Sequence, residues 1–171
     1  MKTENIILTV VADDKPGIIQ SLSDVVASHG GNWLDSSLSR LGGQFAGVVS
    51  ISIASTALEP LQASFSTRLE SHIQVAVHKP HSVASKEAVE VIELSLEAND
   101  RPGIVEEIST VLAKHHFNVE KMTTHCESAS MAGYNLFKAQ IKVGLHEGLS
   151  IHDMEQALEN ISADVMVEIV A

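Results

Sequence analysis

Ile6, Leu8 and Val10 alternate with Ile7, Thr9 and Val11, so both faces of this stretch are apolar and predict a central, covered β-strand. Asp13-Asp14-Lys15-Pro16-Gly17 interrupts it. Ile18, Leu22, Val25 and Val26 then recur at helical spacing as far as Gly30-Gly31, a helix stop. Proline suits the first position of that helix, and acidic residues suit its positive end. Residues 32–41 and 44–54 predict a hairpin about Gly42-Gly43, because a Gly-Gly pair supplies the positive φ of a tight turn. In the second arm Phe45, Val49, Ile51 and Ile53 share a face. Thr56-Ala57-Leu58-Glu59 reads as a capping box ahead of a helical stripe of Leu58, Leu61, Phe65 and Leu69. Ile73, Val75 and Val77 close the unit as a strand, giving the order β-α-β-β-α-β.

The same pattern returns 86 positions later. Asp14-Lys15-Pro16-Gly17-Ile18 becomes Asp100-Arg101-Pro102-Gly103-Ile104, and Ser23, Val25, Ala27, His29 and Asn32 recur as Ser109, Val111, Ala113, His115 and Asn118. Two copies of so long a period indicate a duplicated domain rather than a solenoid. Ile92, Leu94 and Leu96 alternate with Glu93, Ser95 and Glu97, so the second copy's first strand has a wetter outer face. Ile104, Ile108, Val111 and Leu112 make its first helix. Val119 to Cys126 and Asn135 to Val143 make its hairpin. Ser150-Ile151-His152-Asp153 caps a helix with the stripe Ile151, Met154, Leu158 and Ile161, and Val165, Val167 and Ile169 end the chain as a strand. That last helix lies 93 residues after its counterpart, which places an insertion at 127–133. The expected organisation is a domain at 1–80, a short polar linker at 81–87 and a second domain at 88–171. Each is an α+β ferredoxin-like unit, an antiparallel sheet with both helices on one face.

Composition narrows the function. The net charge of −11 is uneven, with 5 Lys+Arg against 7 Asp+Glu in residues 1–80 and 6 against 15 thereafter. Such a surface repels phosphate backbones, and no basic stripe or zinc-finger spacing offsets it, so no direct nucleic-acid binding is expected. No apolar run is long enough to span a bilayer, and Cys126 is the lone cysteine, which together point to a cytoplasmic protein with no membrane association. Nine histidines lack metal-ligand spacing: His115 and His116 are adjacent, and His125 and Cys126 face opposite sides of a strand. Neither a metal, a cofactor nor a catalytic constellation is expected. The duplicated turn is the candidate for chemistry. Asp14, Lys15, Gly17 and Ile18, and Asp100, Arg101, Gly103 and Ile104, can offer a carboxylate and close backbone approach to a small ligand. An ordinary proline-started helix after a tight turn would be duplicated just as readily. Asn32 and Asn118 can donate to and accept from a zwitterion, or simply tolerate the bend after each helix. Trp33 lines either an interface or, more in keeping with its place at a strand start, the core.

A strand, Asp-x-Pro-Gly-Ile, a helix and then Gly-x-Asn resemble the ACT domain, a regulatory module that commonly binds amino acids. The resemblance covers both copies. Residues 31–45, with Gly31-Asn32, Asp35-Ser36, Leu41-Gly42 and Phe45, are similar to the glycine cleavage system transcriptional repressor family. That likeness implies a non-enzymatic, two-ACT protein acting through a DNA-binding activator protein, with glycine or a related amino acid as ligand; the open sheet face leaves room for a homo-oligomer, though the sequence does not fix the oligomeric state. A stand-alone ACT subunit controlling a metabolic enzyme is the alternative. Family ligand contacts map to Asp14 and Asp100 and to Asn32 and Asn118. The first of these is often asparagine in amino-acid-binding members, and Ala12 and Ala98 stand where some sites carry histidine. An aspartate repels a ligand carboxylate but accepts from its ammonium. The acidic second half and the loop at 127–133, where the copies differ most, are the expected partner contact.

Overall fold

The computed structural model describes residues 2–80, 90–128, 135–146 and 148–170. The linker at 81–87 and most of the inserted loop, from residue 129 on, lie outside these. The chain separates into two compact units, Met1–Ala84 and Ser85–Ala171. The first runs β1 (Thr3–Asp13), α1 (Ile18–Ser28), β2 (Asn32–Leu41), β3 (Gln44–Ala54), a 3-10 turn (Ser55–Ala57), α2 (Leu58–Arg68) and β4 (Ile73–His78). The second runs β5 (Glu90–Asn99), α3 (Ile104–Lys114), β6 (Asn118–Ser128), β7 (Asn135–Leu145), α4 (Ile151–Glu159) and β8 (Met166–Val170). Each unit has one four-stranded antiparallel sheet, ordered β2-β3-β1-β4 and β6-β7-β5-β8. This is the ferredoxin-like α+β fold expected from the sequence.

The cores follow the apolar stripes. Ile6, Leu8, Val10 and Ala12 of β1 and Val49, Ile51 and Ile53 of β3 pack against Ile18, Leu22, Val25 and Val26 of α1 and Leu58, Leu61 and Phe65 of α2. In the second unit Leu94, Leu96 and Ala98 meet Ile104, Ile108 and Leu112, with Met154 and Leu158 from α4. Trp33 packs partly buried against the first core. A bulge falls at the same place in both copies, between Trp33 and Asp35 and between Val119 and Lys121, the signature of one ancestral strand.

Three expectations need correction. β1 is central, but within the first unit the core packs on only one of its faces, and Val11 and Val48 lie on the other, outside that core. Apolar composition on both faces did not imply that the unit's own core covers both. Thr56-Ala57-Leu58-Glu59 is not a capping box. Ser55–Ala57 form the 3-10 turn, and Ala57 stands at the cap of α2 with no side-chain bond. Pro16 does not begin α1. The helix starts at Ile18 with Gly17 at its cap, and no acidic residue lies in its first turn. Ser150 does cap α4, its hydroxyl accepting from Asp153 N at 3.1 Å.

The insertion can be measured from register. Arg40 faces Phe45 across the first hairpin, and Cys126 faces Phe137 across the second. Phe45 in turn faces Ala12, and Phe137 faces Ala98, 86 residues on from Ala12. Arg40 and Phe45 are five positions apart and Cys126 and Phe137 eleven, so six residues are added within the second hairpin.

Candidate functional site

The duplicated turn owes its shape to its Pro-Gly pair. Gly17 has φ 95° and ψ −3°, and Gly103 has φ 90° and ψ −6°. These are the values of the third residue of a type II β-turn, in which proline favours the second position. In the second copy Ile104 N closes the turn on the Arg101 carbonyl at 3.4 Å. A Cβ on either glycine would meet nothing within 4 Å, so the backbone conformation, not crowding, selects glycine. The glycine carbonyls then accept the first helical bonds, from Ser21 N at 2.9 Å and Glu107 N at 3.0 Å. Each turn is pinned to its neighbouring hairpin, Asp14 N donating to Gly43 O at 3.1 Å and Asp100 N to Asn135 O at 2.8 Å.

In the first unit this turn walls a hollow of about 340 Å³. Asp14, Lys15 and Gly17 line it, with Ile18, Ile19 and Gln20 from the start of α1 and Phe45 from β3. The volume lies at the lower end for small-molecule sites, and the mix of an apolar floor with a few polar groups is characteristic of them. Arg40 Nη1 donates to Asp14 Oδ2 at 2.9 Å. Arg40 is largely exposed, so this ion pair is held weakly and opens at small cost. Lys15 stands 3.9 Å from Asp13.

The second unit repeats the backbone but not the charges. Cys126 occupies Arg40's place, and partial loss of hydration followed by the neighbouring Asp100 carboxylate pushes its thiol above the ordinary value. Arg101 is engaged by Glu107 at 2.6 Å and by Asp164 at 3.7 Å. Asp164 also accepts from Asn99 N at 2.8 Å and from the Ser162 hydroxyl. The hydroxyl first and the amide second hold its carboxyl below the usual range. Nearby on the sheet, Lys138 bridges Glu97 at 3.1 Å and Glu127 at 2.7 Å, which is the wet outer face expected of β5.

Of the residues singled out from sequence, Asp14, Lys15, Gly17 and Ile18 come together at the first hollow, and Asp100, Arg101, Gly103 and Ile104 share the equivalent turn. Asn32 does not join them within its own unit. It pairs with Ser52, whereas Asp13 pairs with Gln44, eight residues along β3 or about 27 Å away. Asn118 is likewise at the far end of its sheet, opposite Gly144, where its amide donates to Glu120 Oε1 at 2.6 Å. Arg40, Ile19, Gln20 and Phe45 were missed. Pairing outward from Gly42-Gly43 would have found Arg40 and Phe45, since the tight turn fixes their register at the end of β1 where Asp14 follows. His29 lies 2.9 Å from Val25 O and 3.1 Å from Ser64 Oγ, tying α1 to α2. Among the described residues no three His, Cys, Asp or Glu side chains are grouped to hold a metal, and no helix is long and apolar enough to cross a membrane.

Comparison with known proteins places this geometry. Residues 4–77 match one ACT-domain family model and residues 92–142 another. The chain is 19% identical over 161 residues to the glycine cleavage system transcriptional repressors of Escherichia coli strain K12 and Shigella flexneri, covering 94% of this chain and 85% of theirs. A crystal structure of an unknown protein from Galdieria sulphuraria superimposes with a TM-score of 0.82 at 26% identity, covering 99% of this chain and 100% of that one. A second, of a candidate glycine cleavage system transcriptional repressor, superimposes with a TM-score of 0.73 at 17% identity over 99% of this chain and 98% of that one. With both units matched and the Asp-x-Pro-Gly turn in the same place in each, the chain belongs to the ACT-domain family, as a tandem of two such domains.

Proposed function

We propose that this chain is a non-enzymatic regulator that senses a small amino acid, glycine or a close relative, at its strand-to-helix turns, and represses glycine cleavage genes by holding a DNA-binding activator. The observation that carries the reading is the extent of the likeness: similarity to the Escherichia coli repressor runs through 94% of the chain, both ACT units included. The charge agrees. A net −11 opposes contact with DNA phosphates and favours a protein intermediary. The sensing half rests on the first hollow, whose lining carboxylate, Asp14, is paired with the exposed Arg40 and stands beside an apolar floor.

Deleting the gene and counting glycine cleavage transcripts tests the repression. The expected result is a rise in transcripts without glycine that disappears when the activator is deleted as well. Transcripts indifferent to the deletion, with a metabolic enzyme gaining or losing activity instead, would transfer the chain to the enzyme-subunit class.

A further inference from the structure

The two turns share a backbone but not an electrostatic design, and the difference decides which of them can hold a zwitterion. Around the first stand two carboxylates, Asp13 and Asp14, and two cations, Lys15 and Arg40. The residues opening α1 after Ile18 and Ile19 are the neutral Gln20 and Ser21. Around the second stand four carboxylates, Asp100, Glu106, Glu107 and Asp164, against Arg101 alone. Gln20 and Ser21 have become Glu106 and Glu107, and Arg40 has become Cys126.

An α-amino acid carries an ammonium and a carboxylate on neighbouring atoms. Asp14 accepts from the first, and the guanidinium beside it, 2.9 Å away and with donors to spare, answers the second. Their mutual pairing is exposed and weak, so it can be exchanged for a ligand. At the second turn Asp100 is left beside a thiol, and the local arginine is already bound at 2.6 Å to Glu107. A ligand carboxylate there would meet Asp100, Glu106 and Glu107 without a cation to receive it, which disfavours it outright.

We infer that the chain takes one α-amino acid, at the first unit's hollow lined by Asp14 and Phe45, with Arg40 held to Asp14 at its edge, and that the second unit's turn is a silent copy kept for its fold. This rests on the sensing reading above and narrows it to a single site. Arg40 is therefore the residue that fixes stoichiometry, and Ile19 and Phe45 provide the wall against which the ligand's Cα substituent lies.

The test is isothermal titration of the full chain with glycine, serine and leucine. Variants Arg40→Cys, Asp14→Asn and Asp100→Asn are titrated alongside, each checked by thermal melting for an intact fold. One ligand per chain is expected. Arg40→Cys and Asp14→Asn should each weaken binding at least about tenfold, the loss of one charge-assisted contact. Asp100→Asn should leave both affinity and stoichiometry unchanged. Two ligands per chain, or a loss on Asp100→Asn equal to that on Asp14→Asn, would overturn the single-site assignment while leaving amino-acid sensing in place. Wild-type chain that takes up none of the three would overturn sensing itself, and the assignment with it.

Discussion

The two helices that follow the duplicated turn end alike, and one of them pays for a residue that does not suit its backbone. Gly30 N donates to Ala27 O at 2.9 Å and Gly31 N to Val26 O at 3.0 Å. In the second unit His116 N donates to Ala113 O at 3.0 Å and Phe117 N to Leu112 O at 2.9 Å. This is the Schellman motif, which needs a left-handed residue just past the helix cap. Gly30 has φ 70° and His116 has φ 61°, the latter the one non-glycine residue with positive φ among those described. A left-handed L-residue costs about 1–2 kcal/mol. Glycine avoids that but gives back about 0.5–1 kcal/mol through the freedom of the unfolded chain. His116→Gly should therefore stabilise the second unit by about 0.5–1 kcal/mol. Gly30→Ala, whose Cβ would meet nothing within 4 Å, should destabilise the first by a similar amount. At about 4–8 °C per kcal/mol for domains of this size, the melting transitions should move by about 2–8 °C in opposite directions. Differential scanning calorimetry of the full chain reads both. A fall in melting temperature for His116→Gly, or no change for Gly30→Ala, would refute the argument.

Other consequences are as direct. Ser150→Ala should cost about 1 kcal/mol in urea unfolding by removing the bond to Asp153 N, while Thr56→Ala, which lies in no helix cap, should cost far less; the reverse ranking would be inconsistent with the cap assignments. Asp164 is held below its ordinary value of 3.8, so its contribution to stability is present above that value and is lost as pH falls through the folded value. Asp164→Asn should accordingly flatten the acid limb of stability against pH, and an unchanged slope would count against the Ser162 and Asn99 bonds. The Asp100 carboxylate raises the Cys126 thiol, leaving less thiolate, so Asp100→Asn should speed its alkylation by iodoacetamide at pH 8; an unaltered rate would separate the two side chains.

Much of the fold was readable because the signals for it are local. The stripes Ile18-Leu22-Val25-Val26 and Ile104-Ile108-Leu112 are set by helical periodicity, and Gly42-Gly43 fixes a two-residue hairpin whose arms end where expected. Local signals failed where two structures use the same residues. Pro-Gly serves a helix start and a type II turn alike, and the φ of Gly17 decides between them. Thr-x-x-Glu is a capping box only if the helix begins beside it, and a 3-10 turn took that place. The far side of β1 was misjudged because composition cannot report whether the unit's own core lies over a sheet face.

The site was half legible for the same reason. Asp14, Lys15, Gly17 and Ile18 are contiguous, so their sharing a turn follows from sequence alone. Arg40 and Phe45 reach that turn through strand pairing, 26 and 31 positions from Asp14, and only register brings them there. Asn32 illustrates the converse: its position matches a family contact, yet within its unit the sheet carries it to the opposite end from Asp14.

The measurement that bears most directly on the proposed role is affinity purification of the tagged full chain from cells grown with and without glycine. Partners are identified by mass spectrometry, and promoter DNA of the glycine cleavage genes is quantified in the same eluate. A DNA-binding activator should be recovered in a glycine-dependent amount, with promoter DNA that vanishes when the activator gene is deleted. Promoter DNA retained without any activator, or a metabolic enzyme as the stoichiometric partner with no promoter DNA, would contradict repression through an activator.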